Sequence, residues 1–257
     1  MKIISFNIGI KIDNASKVKE YLKTQNVDIV CLQEVVRPLE PEVFQMYRSE
    51  EEIRNFLKES YPYYFFAPEW IANRLTKSTG GGNREFGGMI EQGKLILSKY
   101  PIIHGYNYFY YKTYEFDCDR TKFHEGDDHG RALQVVKVDI NGTVIQIGNV
   151  HGSYSSDKLD TDRSLIQSGF ILEKLQEQRH PTILLGDFNV LPDTKSVTII
   201  NKEYTNLNDK FNVSSTRPNG QIIDYIFTSK DMSTQKLVVD EVNISDHHPL
   251  IMEFQLS

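Results

Sequence analysis

A mixed α/β fold in one domain follows from three features of this 257-residue chain. Short apolar segments bounded by polar residues read as strands, and amphipathic patterns between them read as helices. An Asn-Gly turn makes at least one strand pair antiparallel.

The strands come first. Four segments are short, rich in Ile, Val or Leu, and read as buried: "KIISFNI", "VDIVCLQEV", "TVIQIGNVH" and "TILLGDFNV". "KLILSKYPI", "RALQVVKVDI", "QIIDYIFTS" and "HHPLIMEFQL" join them, and "DINGTV" is the hairpin turn. The helices follow. Lys17 to Thr24 sits behind Asn14 or Ser16 as a cap. Glu50 to Ser60 carries Ile53, Phe56 and Leu57 at helical spacing. Asp162 to Gln178 places Leu165, Ile166, Ile171, Leu172 and Leu175 on one face, with Asp160, Thr161 or Asp162 as the cap.

No low-complexity linker divides the chain, so one domain over residues 1–257 is expected. Two stretches read as irregular. Residues 73–88, "NRLTKSTGGGNREFGG", are glycine-rich, and residues 104–130 are long, aromatic and acidic. Loops of that length in a compact domain are more often functional than accidental.

Composition removes several classes. The 39% hydrophobic and 25% charged fractions are those of an ordinary globular protein. Cys31 and Cys118 have no partner at metal-ligand spacing, which argues against a disulfide framework or structural zinc. No stretch approaches the ~20 apolar residues of a transmembrane helix, and the N-terminus reads as a strand, not a signal peptide. A cytoplasmic, monomeric protein is expected, though a mature exported chain would look the same. The formal charge of −6 gives no general attraction to phosphate backbones, but leaves room for a nuclease whose metal supplies local positive charge.

Each core strand ends in, or is broken by, a polar residue: Asn7, Glu34, His151, Asp187 with Asn189, Asp224, and Asp246 with His247. For any one of them a capped strand end is the plainer reading. Taken as a set they are carboxylates, amides and imidazoles. Asp187 and Asn189, two apart on an extended segment, would point to one side. Gathered at strand ends, the set makes a hard-oxygen metal site with imidazoles beside it. Mg²⁺ suits that mixture better than zinc, which recruits histidines or cysteines at short spacing.

The blocks "SFNI", "DIVCLQEV", "KLILSKYPI", "GNVHG", "ILLGDFNVLP", "IDYIF" and "SDHHPL" stand in the order seen in the endonuclease/exonuclease/phosphatase superfamily, and from about residue 2 to 255 the chain resembles it. The resemblance implies a DNase I-like fold: a four-layer α/β/β/α sandwich with two central, mainly antiparallel sheets and the site at one edge of both. It also implies roles. Glu34 would bind Mg²⁺, with Mn²⁺ as a substitute, and Asn7 and Asp246 would lie nearby. Asp187 would orient or deprotonate the attacking water and Asn189 would hold phosphoryl oxygens. His247 would contact the scissile phosphate or act as base, its tautomer fixed by Asp224. His151 would steady the phosphate or assist the leaving oxygen.

The remaining candidates are less specific. Arg131 matches an arginine of some members and could reach phosphate, or form a structural ion pair. Gln33 reads as support for Glu34, and His248 as structural. His104, His124 and His129 read as surface residues, with a metal site of His124, Asp127, Asp128 and His129 as a lesser alternative. The aromatic stretch, with Tyr110 and Tyr111 as substrate-binding candidates, could stack on bases or pack as a flap.

On substrate, Trp70 lies away from the blocks where inositol-polyphosphate phosphatases carry tryptophan. Ile222 and Ile223 stand where many nucleases have a basic residue. The expectation is a Mg²⁺-dependent phosphoesterase acting on phosphodiesters, nuclease-like, with nucleic acid among its possible partners. A phospholipid or small-molecule phosphatase is the nearest rival. An inert binding module on this fold is the alternative of a different class, and the intact polar set argues against it.

Overall fold

A computed structural model describes residues 1–10, 14–72, 75–77, 83–114, 116–117, 130–177 and 180–256. In chain order, β1 (Lys2–Asn7), α1 (Asn14–Gln25), β2 (Ile29–Pro38), α2 (Ser49–Leu57) and β3 (Tyr63–Ala72) come first. The short β4 (Leu75–Lys77) and β5 (Asn83–Glu85) precede β6 (Ile90–Ser98), β7 (Ile102–Tyr111) and β8 (Phe116–Asp117). Then come β9 (Arg131–Ile140), β10 (Thr143–His151), α3 (Asp162–Gln176), β11 (Thr182–Asp187) and α4 (Lys195–Asn201). The chain ends with β12 (Tyr204–Asn206), α5 (Leu207–Lys210), β13 (Asp224–Ser229), β14 (Ser233–Val239) and β15 (Leu250–Gln255).

Among the described residues these strands form two large sheets. One has the order β14-β15-β1-β2-β6-β3-β8 and the other β12-β13-β11-β10-β9-β7. Most pairs are antiparallel, but a parallel pair stands inside each sheet, β1 with β2 and β10 with β11. The inner faces meet in a largely apolar layer. Ile3, Ile29, Cys31 and Ile96 of the first sheet pack on Val136, Val138, Ile147, Ile183 and Leu185 of the second. On the outer face of the first sheet, Ile4, Phe6, Val30 and Leu32 take Val18, Tyr21 and Leu22 of α1 and Ile53 and Leu57 of α2. On that of the second, Leu133, Leu184 and Phe227 take Ile171 and Leu175 of α3 and Val197 and Ile200 of α4. The fold is the four-layer α/β/β/α sandwich. Each fully buried aliphatic side chain contributes about 1.5–3 kcal/mol, so these three interfaces carry the stability.

The helical expectations hold with small shifts. Thr161 is the α3 cap, its hydroxyl accepting from Ser164 N. Two face residues do not go inward. Ile166 is 60% exposed, and Phe56, within α2, is exposed under the ammonium groups of Lys19 and Lys23.

The stretch 104–130 departs from expectation. His104 to Tyr111 belong to the edge strand β7, paired with β9 from Ile102–Val138 to Tyr111–Arg131. Consecutive aromatics obscured the strand, because an edge strand does not alternate apolar and polar side chains strictly. Within 73–88, β4 and β5 form a two-stranded hairpin. The alternative metal group at His124, Asp127, Asp128 and His129 lies outside the described residues. No helix among the described residues is long and apolar enough to cross a membrane.

Candidate active site

The parallel pairs β1–β2 and β10–β11 determine where the polar residues meet. Asn7 ends β1 opposite Gln33, and His151 ends β10 opposite Asp187, the last residue of β11. Asp224, the first residue of β13, pairs with Asp187 from the antiparallel side. These ends lie along one edge of the sandwich. Just beneath them Gln33 Nε2 donates to Asn149 Oδ1 at 2.7 Å, and Asn149 Nδ2 to Gln134 Oε1 at 2.8 Å. This buried amide chain ties the sheets together. The supporting role expected of Gln33 is therefore toward sheet packing.

Glu34 reaches the site through a bulge. The β2–β6 register shifts between Leu32 and Val35, and Glu34 takes a left-handed φ of 59°. A bulge turns a side chain out of its strand's alternation. Its Oε2 accepts from Ile10 N at 3.0 Å, and its Oε1 accepts from Asn7 Nδ2 at 3.2 Å. The same Nδ2 donates to Asp187 Oδ2 at 3.0 Å, so one amide bridges carboxylates from both sheets.

Asp187 and Asn189 converge, but not by strand alternation. β11 stops at Asp187 and Asn189 has φ 58°. The turn brings Asn189 N to Asp187 Oδ1 at 2.8 Å and Asn189 Nδ2 to Asp187 Oδ2 at 3.3 Å. A left-handed non-glycine residue costs energy and persists where surroundings over-determine it. Glu34, Lys158 and Asn189 all carry that conformation.

His247 Nδ1 lies 2.9 Å from both carboxylate oxygens of Asp224, and its Nε2 lies 3.8 Å from Asp187 Oδ2. Thr216 Oγ1 donates to Asp224 Oδ2 at 2.8 Å. Burial alone would lower the His247 pKa. The carboxylates of Asp224 and Asp187 outweigh it and push it up to about 9. Burial likewise opposes charge on Asp187, but His247, His151 and Lys158 hold its carboxyl below the usual range.

His151 stands on the other side of Asp187. Arg131 Nη1 lies 2.9 Å from its Nδ1. Arginine only donates, so Nδ1 accepts and the ring proton sits on Nε2, which is 3.6 Å from Glu34 Oε1. Behind them Glu69 Oε1 pairs with Lys94 Nζ at 2.5 Å, and Glu69 Oε2 lies 3.5 Å from Arg131 and 3.7 Å from His151 Nδ1. Burial would raise the Glu69 pKa; Lys94, His151 and Arg131 together drive it strongly down.

Asp187, Asp224 and His247 offer ligand atoms within 4.8 Å of one another, a possible metal group. The 2.9 Å contact places a proton between His247 and Asp224, which makes the trio a better proton relay than a cation cage. Glu34 and Asp187 fit a hard divalent cation better. They are two carboxylates from different sheets, held together by the positive end of the Asn7 amide. Gly9 N donates to Asn7 Oδ1 at 3.0 Å, so Asn7 becomes a ligand only by turning its amide over.

Three expected residues stand differently. Asp246 is exposed and its Oδ2 pairs with Arg217 Nη2 at 2.5 Å, turned toward that guanidinium. Tyr110 donates to Gln167 Oε1 at 3.0 Å and lies 3.3 Å from the His151 carbonyl, bracing that strand end. The Tyr111 ring lies under the Arg163 guanidinium at 4.1 Å. His248 N donates to Thr216 O, in keeping with a structural role. His104, as expected, is exposed.

Sequence reasoning missed Glu69, Lys94, Thr216, Arg217 and Lys158. Glu69 had a signal, an acid alone in the apolar run "YYFFAPEWIA". Lys158 had none, being one polar residue in "SYSSDKLDTD". It is buried, with Nζ 2.6 Å from Asn189 Oδ1. Burial pulls its pKa down, partly offset by Asp187.

A sequence model of the Endonuclease/Exonuclease/phosphatase family matches residues 4–247, and the chain belongs to that family. Its members are generally phosphoesterase hydrolases that typically use divalent metals. No curated protein matches the sequence. Among solved structures, an endonuclease/exonuclease/phosphatase from Beutenbergia cavernae superposes with TM-score 0.79 at 17% identity, covering 100% of this chain and 72% of that one. A mannosyl-6-phosphatase from Bacteroides thetaiotaomicron gives 0.68 at 16%, covering 100% of both. TDP2 from Caenorhabditis elegans gives 0.67 at 17%, covering 99% of this chain and 74% of that one.

Proposed function

We propose that the protein is a Mg²⁺-dependent phosphoesterase that hydrolyses phosphodiester bonds by in-line attack of water, with Mn²⁺ as a substitute metal. Glu34 would hold the cation, with Asp187 and Asn7 beside it. When bound, the cation neutralises charge on nonbridging oxygens. The protein's own groups do the rest. Asp187 orients the attacking water and takes its proton as the new phosphorus–oxygen bond forms. His247, its Nδ1 proton on Asp224, presents Nε2 to a phosphoryl oxygen, and Asn189 Nδ2, which donates to Gly152 O at 3.2 Å and Asp187 Oδ2 at 3.3 Å, takes another in exchange for its bond to Asp187. His151 donates its Nε2–H as a hydrogen bond to the departing oxygen as the old bond breaks, and solvent supplies the proton that oxygen takes. Asp246 stays with Arg217 at the rim.

The observation that carries this reading is the placement of Asp187 between two imidazoles, His247 at 3.8 Å and His151 opposite it in register. Attack in line needs a proton acceptor beside the water and hydrogen-bond donors at the phosphoryl and departing oxygens, which supports assigning these roles to Asp187, His247 and His151.

The test is release of nitrophenol from bis(p-nitrophenyl) phosphate with Mg²⁺ or Mn²⁺, abolished by EDTA and restored by metal. Plasmid DNA, abasic duplex, single strands, RNA, phospholipid and p-nitrophenyl phosphate form the second panel. One structural neighbour is named a mannosyl-6-phosphatase. Turnover of the monoester alone would move the substrate class while keeping the phosphoesterase. Ligand binding with no turnover on any phosphoester would favour an inert module.

A further inference from the structure

Lys158 lies between β10 and α3, where Leu191 N donates to its carbonyl at 2.9 Å and its own φ is 60°. A lysine in such a loop ordinarily extends into water. This one turns inward and is 4% exposed. Its Nζ donates to Asn189 Oδ1 at 2.6 Å and sits 3.8 Å from the centroid of the Tyr154 ring, itself half exposed. Among the described residues no carboxylate lies within 4.0 Å of it. Asp187, Asp224 and Asp246 attract it only through space, while Arg217 repels it.

A buried ammonium is expensive to keep unless an anion pairs with it. One neutral amide oxygen and one ring face are poor compensation. Of its three N–H groups, one serves Asn189, and Tyr154 covers another side by cation–π contact. The position therefore lacks an anion, and it lacks one beside Asn189, the residue assigned above to a phosphoryl oxygen.

We propose that Lys158 is a substrate-binding residue whose ammonium takes a nonbridging oxygen of the scissile phosphoryl group beside Asn189. The inference rests on the phosphoesterase reading and adds a protein-supplied positive charge on the side of the phosphate held by Asn189. Tyr154 confines the ammonium there. A role limited to orienting the Asn189 amide is the competing account.

The experiment compares wild type, Lys158→Met, Lys158→Arg, Asn189→Ala and the double variant Lys158→Met/Asn189→Ala. Readouts are kcat/KM on bis(p-nitrophenyl) phosphate, inhibition by inorganic phosphate, and melting temperature. Lys158→Met should lower kcat/KM by about 10²–10³-fold, the scale for losing one transition-state donor. It should weaken phosphate inhibition about tenfold and melt no lower than wild type. Lys158→Arg should recover part of both losses. In the Asn189→Ala background, Lys158→Met should cost a further factor of about ten or more.

If that background erases the effect, Lys158 acts only through Asn189 and the proposal is overturned. It is equally overturned if Lys158→Met keeps kcat/KM and phosphate inhibition within twofold. A wild type that hydrolyses no phosphoester and binds no phosphate sinks this inference together with the function it rests on. An active wild type with an unimpaired Lys158→Met sinks this inference alone.

Discussion

His247 Nδ1 lies 2.9 Å from both carboxylate oxygens of Asp224, 23 residues away in sequence, and the contact is buried. Asp224 cannot turn aside, since Thr216 Oγ1 donates to its Oδ2 and the Asp224 backbone N donates back to Thr216 Oγ1 at 3.2 Å. Asp224 thus fixes the imidazole's direction and stabilises its charged form.

That pair sets a pH dependence of stability in metal-free protein. The His247 pKa is pushed from 6.5 to about 9 on folding. A raised folded-state pKa means the native state binds the proton more tightly. Its stabilisation is fully present below about pH 6.5 and is lost as pH rises through about 9. The size is on the order of 3 kcal/mol. Asp187, shifted down, contributes in the opposite direction and only at acid pH; Asp224 is shifted up and Lys94 and Lys158 down by burial, so the difference between wild type and His247→Gln is what isolates the histidine. Urea unfolding in EDTA at pH 6, 7.5 and 9.5 should show the fall, and His247→Gln should flatten it. Parallel profiles would rule out the coupling.

Glu34 governs metal dependence. Its carboxylate sits in a strained bulge, 3.2 Å from Asn7 and 3.6 Å from His151. Divalent metal at a hundredfold excess over its Kd should stabilise wild type by about 2.7 kcal/mol, seen as a higher melting temperature. Glu34→Gln keeps the side-chain shape and removes the charge. It should abolish the metal-induced shift and lower kcat by at least about 10²-fold. An unchanged shift would place the cation elsewhere.

Most of the fold and half of the site were legible because polar residues that end buried strands stand out against apolar runs. Asn7, Glu34, His151, Asp187, Asp224 and His247 each break such a run, and the topology brings all six to one edge. Three things were hidden. β7 reads as an aromatic loop because its edge position relaxes alternation. The meeting of Asp187 with Asn189 depends on a left-handed turn that pattern alone does not give. Lys158 and Thr216 act from polar segments where every residue looks alike, and only three-dimensional packing separates a buried lysine from a solvated one. Asp246 shows the converse, since adjacency to His247 suggested the cleft and Arg217 claimed the carboxylate.

Glu69 tests whether the buried charges behind His151 are structural. Glu69 and Lys94 are both wholly buried, and Arg131 is nearly so. Glu69→Gln leaves two cations without their shared anion, and breaking a buried pair costs about 3–5 kcal/mol. Denaturant unfolding should show that loss. Adding Lys94→Met, which removes one stranded charge, should return more than half of it. A simple sum of the two single effects would mean the groups are not coupled.

Gly186 holds Asp187 in place by what it lacks. It pairs with Val150 across the parallel β10–β11 ladder, with φ 130°, a conformation side chains avoid. A Cβ there would lie 2.1 Å from the Val150 carbonyl oxygen, closer than any packing adjustment relieves without moving a strand. Backbone strain of about 1–3 kcal/mol and overpacking of about 1–3 kcal/mol both apply. Gly186→Ala should therefore destabilise by at least about 2 kcal/mol in urea unfolding. Because Asp187 is the next residue, the same shift should cut kcat more than it raises KM. Gly169 is the control, exposed in α3 with nothing within 4 Å of an added Cβ. Gly169→Ala should stabilise by about 0.5–1 kcal/mol and leave kcat untouched, since helix propensity alone changes there. Equal effects at the two glycines would mean that the close approach at Val150 does not position Asp187.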